Sequence, residues 1–373
     1  MARRMCVRCI MDTTDPAIRF DTQGICNHCH RYDELSRRRS LTGEEGRRRL
    51  DGIVAQMRQR GVGREYDCVL GLSGGVDSTF LAVQAKRLGL RPLAVHFDSG
   101  WDSELAVHNI ENVVKKLEID LFTWVVDWEE MRDLQVAFLR AGVANADIPT
   151  DHALVASLYR VAADKGVQYI LSGTNVVTEA VIPTAWGYNS SDVRHLRAIH
   201  RRFGTAALRH YPQMGFSQRY LWYRLVKGIK IVRMLDFMPY VKSEAMRSLE
   251  SELGWRSYGG KHHESIFTRF YQSYYLVRRF GFDKRRAHLS NLVCSGQMER
   301  ENALREMEGE PCPLDEAKFL REYVLKKLRL TEQQFEEIME EPLRSYREYP
   351  SSEWLYRMKD AVGPWLQRWG VSP

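Results

Sequence analysis

No stretch of the chain approaches the roughly 18 consecutive apolar residues that a bilayer-spanning helix requires, and the opening MARRMCVRCI lacks the apolar core of a signal peptide. A cytoplasmic protein with no membrane attachment is expected. Internal repeats and low-complexity tracts are missing as well, so a solenoid is excluded. The composition is not that of a disordered chain, because hydrophobic residues make up 44% and charged residues 28% of it. With 373 residues there is room for two domains, and a small stapled scaffold is excluded. Lys plus Arg number 55 against 48 Asp plus Glu, a net charge of +7 that suits anionic ligands such as nucleotides, sugar nucleotides or nucleic acid without choosing among them.

Seven cysteines are present, four of them within the first 29 residues. Cys6-x2-Cys9 and Cys26-x2-Cys29 are spaced as in a zinc ribbon or knuckle, each pair offering two thiolates from one tight turn. A structural Zn²⁺ is expected, with His28 or His30 as alternative ligands and Ile18–Asp21 as a short supporting strand. Cys68, Cys294 and Cys312 are left over, isolated from this cluster and from one another in sequence.

Thr42-Gly43-Glu44-Glu45 reads as a capping box opening a linker helix that ends at Gly61. From Tyr66 the pattern alternates. Strands are expected at Cys68–Leu72, Pro92–Phe97, Leu121–Val126 and Tyr169–Leu171, and helices at Thr79–Leu88, Glu104–Leu117, Met131–Leu139 and His152–Ala163. This order predicts an α/β fold built on a doubly wound parallel sheet. After about residue 180 the rhythm breaks, the composition turns basic and aromatic, and helices are expected, with a second cap at Thr331-x-x-Gln334.

The first strand runs into Ser73-Gly74-Gly75-Val76-Asp77-Ser78, and a helix follows. Strand, glycine turn and helix N-terminus make an anion site in which backbone N–H groups face phosphate and Ser73, Ser78 and Thr79 add hydroxyls. A Walker loop would carry a Gly-Lys-Ser or Gly-Lys-Thr here, and that lysine is missing. Asp77 has no part in holding an anion unless it carries Mg²⁺ against the phosphates.

This hexapeptide in this setting resembles the PP-loop of the N-type ATP pyrophosphatases, the family of GMP, asparagine and NAD synthetases and of tRNA-thiolating enzymes. The resemblance covers about residues 66–180. It implies that the loop grips the β and γ phosphates of ATP while a substrate oxygen attacks the α phosphorus, and that Asp98, in Asp98-Ser99-Gly100-Trp101, and Gly173, Thr174 and Asn175 contact the nucleotide at the carboxyl edge of the sheet.

Three later segments, GWRSYGGKHHESIFTRF (254–270), FDKRRAHLS (282–290) and SGQMERE (295–301), resemble the WbpG/PseA-like N-acetyl sugar amidotransferases of bacterial surface-polysaccharide biosynthesis. With the N-terminal cysteine pairs, the likeness spans most of the chain. It implies a synthetase subunit that adenylylates the acetamido oxygen of a nucleotide-linked N-acetyl sugar and replaces it with ammonia. The sequence contains no glutaminase signature, so ammonia is expected from a glutaminase of the histidine-biosynthesis type with its cyclase-like companion. Lys261 follows a Gly-Gly turn and suits phosphate neutralisation, Glu264 or a neighbouring histidine suits proton transfer, and Lys242 is a further phosphate candidate. The expected division is a zinc module at 1–40, a linker helix at 41–62, the PP-loop domain at 63–185 and a mainly helical substrate and partner region at 186–373. Two other readings stand beside this one: a thiolating tRNA enzyme, drawing on the basic and aromatic stretch at 270–286 although nucleic acid is the less favoured partner, and a non-catalytic nucleotide-binding assembly protein.

Overall fold

The structure, a computed structural model, describes residues 3–368. Strands β1 (Cys68–Gly71), β2 (Pro92–Asp98), β3 (Asp120–Val125), β4 (Tyr169–Leu171) and β5 (Lys230–Val232) form one parallel sheet in the order β3-β2-β1-β4-β5. Val69 of β1 is in register with Leu93 on one side and Ile170 on the other. The strand order therefore reverses at β1, and the loop leaving β1 opens into the crevice where doubly wound sheets bind ligands.

Two helices precede the sheet, α1 (Asn27–Arg39) and α2 (Gly43–Arg60), and the next four alternate with its strands: α3 (Val76–Arg87), α4 (Glu104–Leu117), α5 (Trp128–Arg140) and α6 (Ile148–Asp164). Helix α4 and strand β4 have the expected bounds. Helix α3 starts three residues earlier than expected, because Gly75 is extended and caps it, which brings Asp77 into the first turn. Helix α6 starts four residues earlier, with Pro149 in its first turn, where a missing N–H costs nothing.

Three local expectations are corrected. Thr42 makes no side-chain cap, so α2 starts without the capping box, whereas the Thr331–Gln334 box is formed in full. Ile18–Asp21 is not a strand; only an isolated bridge joins Phe20 to Cys26, since the chain there turns tightly around the cysteines. The sheet does not end with β4. Strand β5 comes from the later region, and its three residues are too few to carry an alternating pattern.

That later region also closes one face of the sheet. Helix α9 (Lys242–Leu253) places Ala245, Leu249 and Leu253 with Trp255 in the core that holds Leu50, Leu81, Ala85 and Ile110. Between β4 and β5 lie α7 (Val176–Glu179) and α8 (Val193–Phe203). Beyond α9, α10 (Ile266–Phe270) continues through a π-turn at Tyr271–Tyr275 into α11 (Leu276–Phe280), and α12 (Lys284–Cys294), α13 (Arg300–Glu306), α14 (Leu314–Leu328), α15 (Glu332–Glu340) and α16 (Glu353–Arg368) follow.

The aromatic run belongs to the interior. Phe267, Phe270, Tyr271 and Tyr275 are fully buried with Phe138, Leu139 and Phe335, and each ring contributes about 2–3 kcal/mol of apolar burial. The basic residues beside it are engaged within the chain: Arg279 donates to the Glu341 carbonyl, Arg285 pairs with Asp283, and Arg286 donates to the Ile10 carbonyl at 2.6 Å and pairs with Asp12 at 3.2 Å. A stacking platform for nucleic acid is not formed by these side chains.

Candidate active site at the carboxyl edge of the sheet

The loop after β1 is held by its own polar atoms and by residues from far along the chain. Gly74 has φ +80°, and a Cβ there would lie 2.8 Å from the Tyr258 hydroxyl, so only glycine fits. Its carbonyl accepts from Trp255 Nε1 at 2.7 Å and from Tyr258 OH at 3.0 Å. Helix α3 begins at Val76 directly after this turn, so its first N–H groups, which no earlier helical carbonyl can take, stand at the loop. Ser73 Oγ accepts from the Gly75 N–H at 3.3 Å, and Ser78 Oγ lies 3.2 Å from it. Thr79 departs from expectation: it is fully buried, and its hydroxyl has no partner and no exposure to a ligand.

Asp77 projects from the first turn of α3 into a charged cleft. Tyr240 donates its hydroxyl to Asp77 Oδ1, Thr178 Oγ1 lies 3.5 Å from Oδ2, and the Lys261 ammonium lies 3.9 Å from Oδ2. Lys261 also pairs with Glu179 at 3.0 Å and donates to the Thr178 carbonyl. Burial disfavours the charged lysine, but Glu179 and Asp77 outweigh it and raise its pKa. Glu264 sits beside the loop, its Oε1 3.5 Å from Ser73 Oγ and 3.8 Å from His262 Nδ1. Burial pushes its carboxyl up, and His262 and Lys261 bring it below the ordinary range. His262 has φ +65°, a strained backbone for a residue with a side chain, in the turn that presents Lys261 and Glu264.

Lys242 opens α9 and enters the same cleft, where burial and then Lys261 lower its pKa. Its N–H donates to Gln297 Oε1 at 2.9 Å, and Gln297 Nε2 donates to the Tyr240 carbonyl at 2.8 Å. The Ser295-Gly296-Gln297 segment thus positions Tyr240, which in turn holds Asp77. The phosphate loop, Lys242, Lys261 and Glu264 are therefore brought together. Tyr240, Thr178, Glu179, Trp255 and Tyr258 were not anticipated individually, although the last two stand in the GWRSYGG segment.

The remaining predicted contacts lie at and after the carboxyl ends of β2 and β4. Asp98 ends β2, accepts from the Gly100 N–H at 2.7 Å, and lines a cavity of about 240 Å³ with Val125, Trp128 and Lys327. Gly173 lies against the backbone of Asp77 and Ser78, where a Cβ would come within 3.2 Å. Thr174 is exposed. Asn175 is buried, and its side chain is spent on the turn: it caps α7 by accepting from Thr178 N and donates to the Gly173 carbonyl.

The four N-terminal cysteines are fully buried together. Their sulfurs lie 3.8 Å apart for Cys6–Cys29 and Cys26–Cys29 and 3.7 Å for Cys9–Cys26. A tetrahedral Zn²⁺ with Zn–S bonds of about 2.3 Å separates its sulfurs by roughly 3.8 Å, so the donor set fits that ion. The histidines are engaged elsewhere, His28 with Asp15 at 2.7 Å and His30 with Asp21 at 2.8 Å. Cys294 is not isolated as its sequence context implied, because the end of α12 brings its sulfur to 3.8 Å from Cys29. Arg300 donates to the carbonyls of Cys6 and Cys9, securing the module to α13.

Two family models match. Residues 264–361 match the C-terminal domain of the LPS biosynthesis protein WbpG-like family, and residues 48–211 match NAD synthase. No curated protein matches the chain. Among solved structures, the NMN synthetase of Francisella tularensis is 13% identical and aligns over 59% of this chain and 94% of its own, with a TM-score of 0.30. The NH3-dependent NAD synthetase of Campylobacter jejuni, in complex with nitrate, is 15% identical over 56% and 85%, with a TM-score of 0.29. A predicted subunit of tRNA methyltransferase from Methanocaldococcus jannaschii is 18% identical over 50% and 74%, with a TM-score of 0.26.

Proposed function

The chain belongs to the WbpG-like PP-loop ATP pyrophosphatases, and from that premise we propose that it is the synthetase subunit of an ATP-dependent amidotransferase acting on a nucleotide-linked N-acetyl sugar. The observation that carries this reading is the meeting of the phosphate loop with the 261–264 segment, where the WbpG-like region starts: Glu264 lies against Ser73, and Lys261 against Asp77.

In this reading the N–H groups at the start of α3, with Ser73 and Ser78, hold the β and γ phosphates of ATP. Lys261 and Lys242 balance the phosphate charge. Mg²⁺, when bound, would be held by Asp77 and would draw charge from the phosphates. The acetamido oxygen attacks the α phosphorus, and pyrophosphate leaves. Ammonia then gives its lone pair to the amide carbon, the C–O bond breaks with its electrons going to AMP, and the nitrogen loses a proton to leave an acetamidino group. The four cysteines would hold a structural zinc with no open position for chemistry. Ammonia would come from a glutaminase of the histidine-biosynthesis type with its cyclase-like companion.

The thiolation reading finds no support in the thiols. Cys68 is buried in β1 with its pKa raised by burial, Cys294 stands against the four-cysteine cluster, and Cys312 is buried. Incubation with ATP, Mg²⁺, ammonium and UDP- or CMP-linked N-acetyl sugars tests the proposal. AMP, pyrophosphate and a product lighter by about one mass unit are expected, from replacement of O by NH. Release of ADP and phosphate, or ATP cleavage triggered by tRNA instead, would overturn it.

A further inference from the structure

Strand β5 ends the sheet, paired on β4 alone, and a cavity of about 610 Å³ lies between it and the helices α1 and α2. Six cations line this cavity, Arg38, Arg39, Arg49, Arg224, Lys230 and Arg233, against one carboxylate, Asp236. That carboxylate is occupied, since its Oδ1 accepts from the Val176 N–H at 2.9 Å. Arg38 and Arg49 pair with Glu34 and Glu45 one turn away on their own helices, but exposed pairs of this kind hold little. Like charge is crowded here: burial lowers the Arg39 pKa and Arg233 lowers it further, with Asp236 opposing. A concave set of guanidinium groups with so little counter-charge suits phosphate oxygens, which such groups bind in pairs.

The rim of the cavity carries a second feature. Residues Gln218–Val226 form a helical segment that contributes Arg224 to the lining. Leu221, Trp222, Leu225 and Val226 recur on one side of this segment and are 50–66% exposed, whereas Tyr223 is buried. Ile231 of β5 is also exposed, next to Lys230, and the Lys227 ammonium lies 5.5 Å from the centre of the Trp222 ring. Leucine and valine neither bind phosphate nor stack on bases, so a soluble nucleotide or an RNA in the cavity would leave this face in water. A bilayer surface satisfies both features, with anionic headgroups for the cations, acyl chains for the aliphatic face, and tryptophan at the boundary between them.

We propose that this corner of the protein docks on an anionic membrane surface, lipid phosphates entering the cavity while Leu221, Trp222, Leu225 and Val226 dip into the acyl boundary. Among the described residues no helix is long and apolar enough to cross a membrane, so the attachment is to the surface alone. It departs from the expectation of a chain without membrane contact, because the cations are scattered in sequence. They meet only where α1, α2, the 218–226 segment and β5 converge. The assignment stands apart from the amidotransferase reading.

The test is cosedimentation of the full chain with vesicles of phosphatidylcholine alone and of phosphatidylcholine mixed with phosphatidylglycerol. Binding is expected only to the mixed vesicles, and it should weaken as salt rises. Arg38→Gln combined with Arg49→Gln and Lys230→Gln removes three charges and is expected to weaken binding by roughly 100-fold, about fivefold for each. Trp222→Gln combined with Leu225→Gln keeps every cation and is expected to weaken it by about tenfold or more. All five positions are exposed, so both variants should melt with the wild type. No binding to either vesicle, or equal binding to both, would overturn the proposal. Binding that inorganic pyrophosphate abolishes and Trp222→Gln with Leu225→Gln leaves intact would give the cavity to a soluble anion instead, and the same pattern with tRNA would give it to nucleic acid. A dimer in solution that dissociates on Trp222→Gln would assign the apolar face to a second copy of the chain and likewise overturn the membrane assignment.

Discussion

The four-cysteine module and the phosphate-loop cleft are both clusters of ionisable groups, and they are built in opposite ways. The thiols are entirely withdrawn from water, lie within 4.8 Å of one another with three of their pairs at 3.7 to 3.8 Å, the edge length of a zinc tetrahedron, and come from two short turns of the same 29 residues. The cleft keeps its groups partly open, with 17% of the Asp77 side chain and 15% of the Glu264 side chain exposed, and assembles them from the loop after β1, from α3, α7 and α9, and from the 261–264 turn. A closed set of four soft donors has no position for a reactant, so it serves the fold. An open set of mixed sign, held by strained and distant segments, costs stability and gains a place for chemistry. Helix α12 connects the two: the His288 ring lies 5.8 Å from that of His262, and Cys294 at its end stands 3.8 Å from Cys29, about 9 Å further along the axis.

The comparison breaks most severely at the cysteines. Protein purified without added metal is expected to contain one zinc, and Cys26→Ser is expected to lose it. Structural zinc contributes on the order of 10 kcal/mol to folding of such modules, far more than any single contact in the cleft. Thermal unfolding should therefore fall markedly, with the packing of the module on α7 and α12 lost first. Elemental analysis beside a melting curve checks both. Less than half an equivalent of zinc in the wild type, unchanged in Cys26→Ser, would mean that the cluster is not a metal site.

Asp77→Asn should do the reverse. The substitution keeps volume and removes charge; the amide oxygen still accepts from Tyr240, its NH2 can donate to the Thr178 hydroxyl, and the melting temperature should barely move. ATP cleavage between the α and β phosphates is expected to fall by about 10³-fold or more, ~4 kcal/mol at the transition state, because the group assigned to Mg²⁺ is gone. Pyrophosphate release is the readout. A variant that melts early and still turns over would assign Asp77 to the fold and erase the contrast between the two centres.

What the sequence made legible follows the same division. Both cysteine pairs and the phosphate loop are recognisable because their chemistry is local: two residues apart for the thiols, one strand, turn and helix for the loop. Lys261 and Glu264 were within reach because they follow a Gly-Gly turn. Thr178, Glu179 and Tyr240 carry no such mark. Each sits on an ordinary helix or turn and becomes part of the cleft only when segments more than 80 residues apart close on one another, as Tyr240 does on Asp77 across 163 positions. Strand β5 escaped for a related reason, since three residues gain strand character only from the partner they pair with. Thr79 was misplaced because α3 begins three residues early, which rotates that hydroxyl into the interior.

The smallest effect is expected at Ser73, and it separates charge from geometry within the cleft. Ser73 Oγ accepts from the Gly75 N–H at 3.3 Å and lies near Ser78 Oγ and Glu264, so the hydroxyl shapes the loop and adds one donor among several backbone N–H groups. Ser73→Ala removes that donor and leaves Gly74 fixed by Trp255 and Tyr258, so the loop keeps its path. Loss of one charge-assisted hydrogen bond corresponds to ~1–2 kcal/mol, or about 5- to 30-fold in kcat/KM for pyrophosphate release, well short of the loss at Asp77. A loss equal to that of Asp77→Asn would place the Ser73 hydroxyl on the charge that develops in the transition state, and the backbone N–H groups would then be the lesser part of the phosphate site.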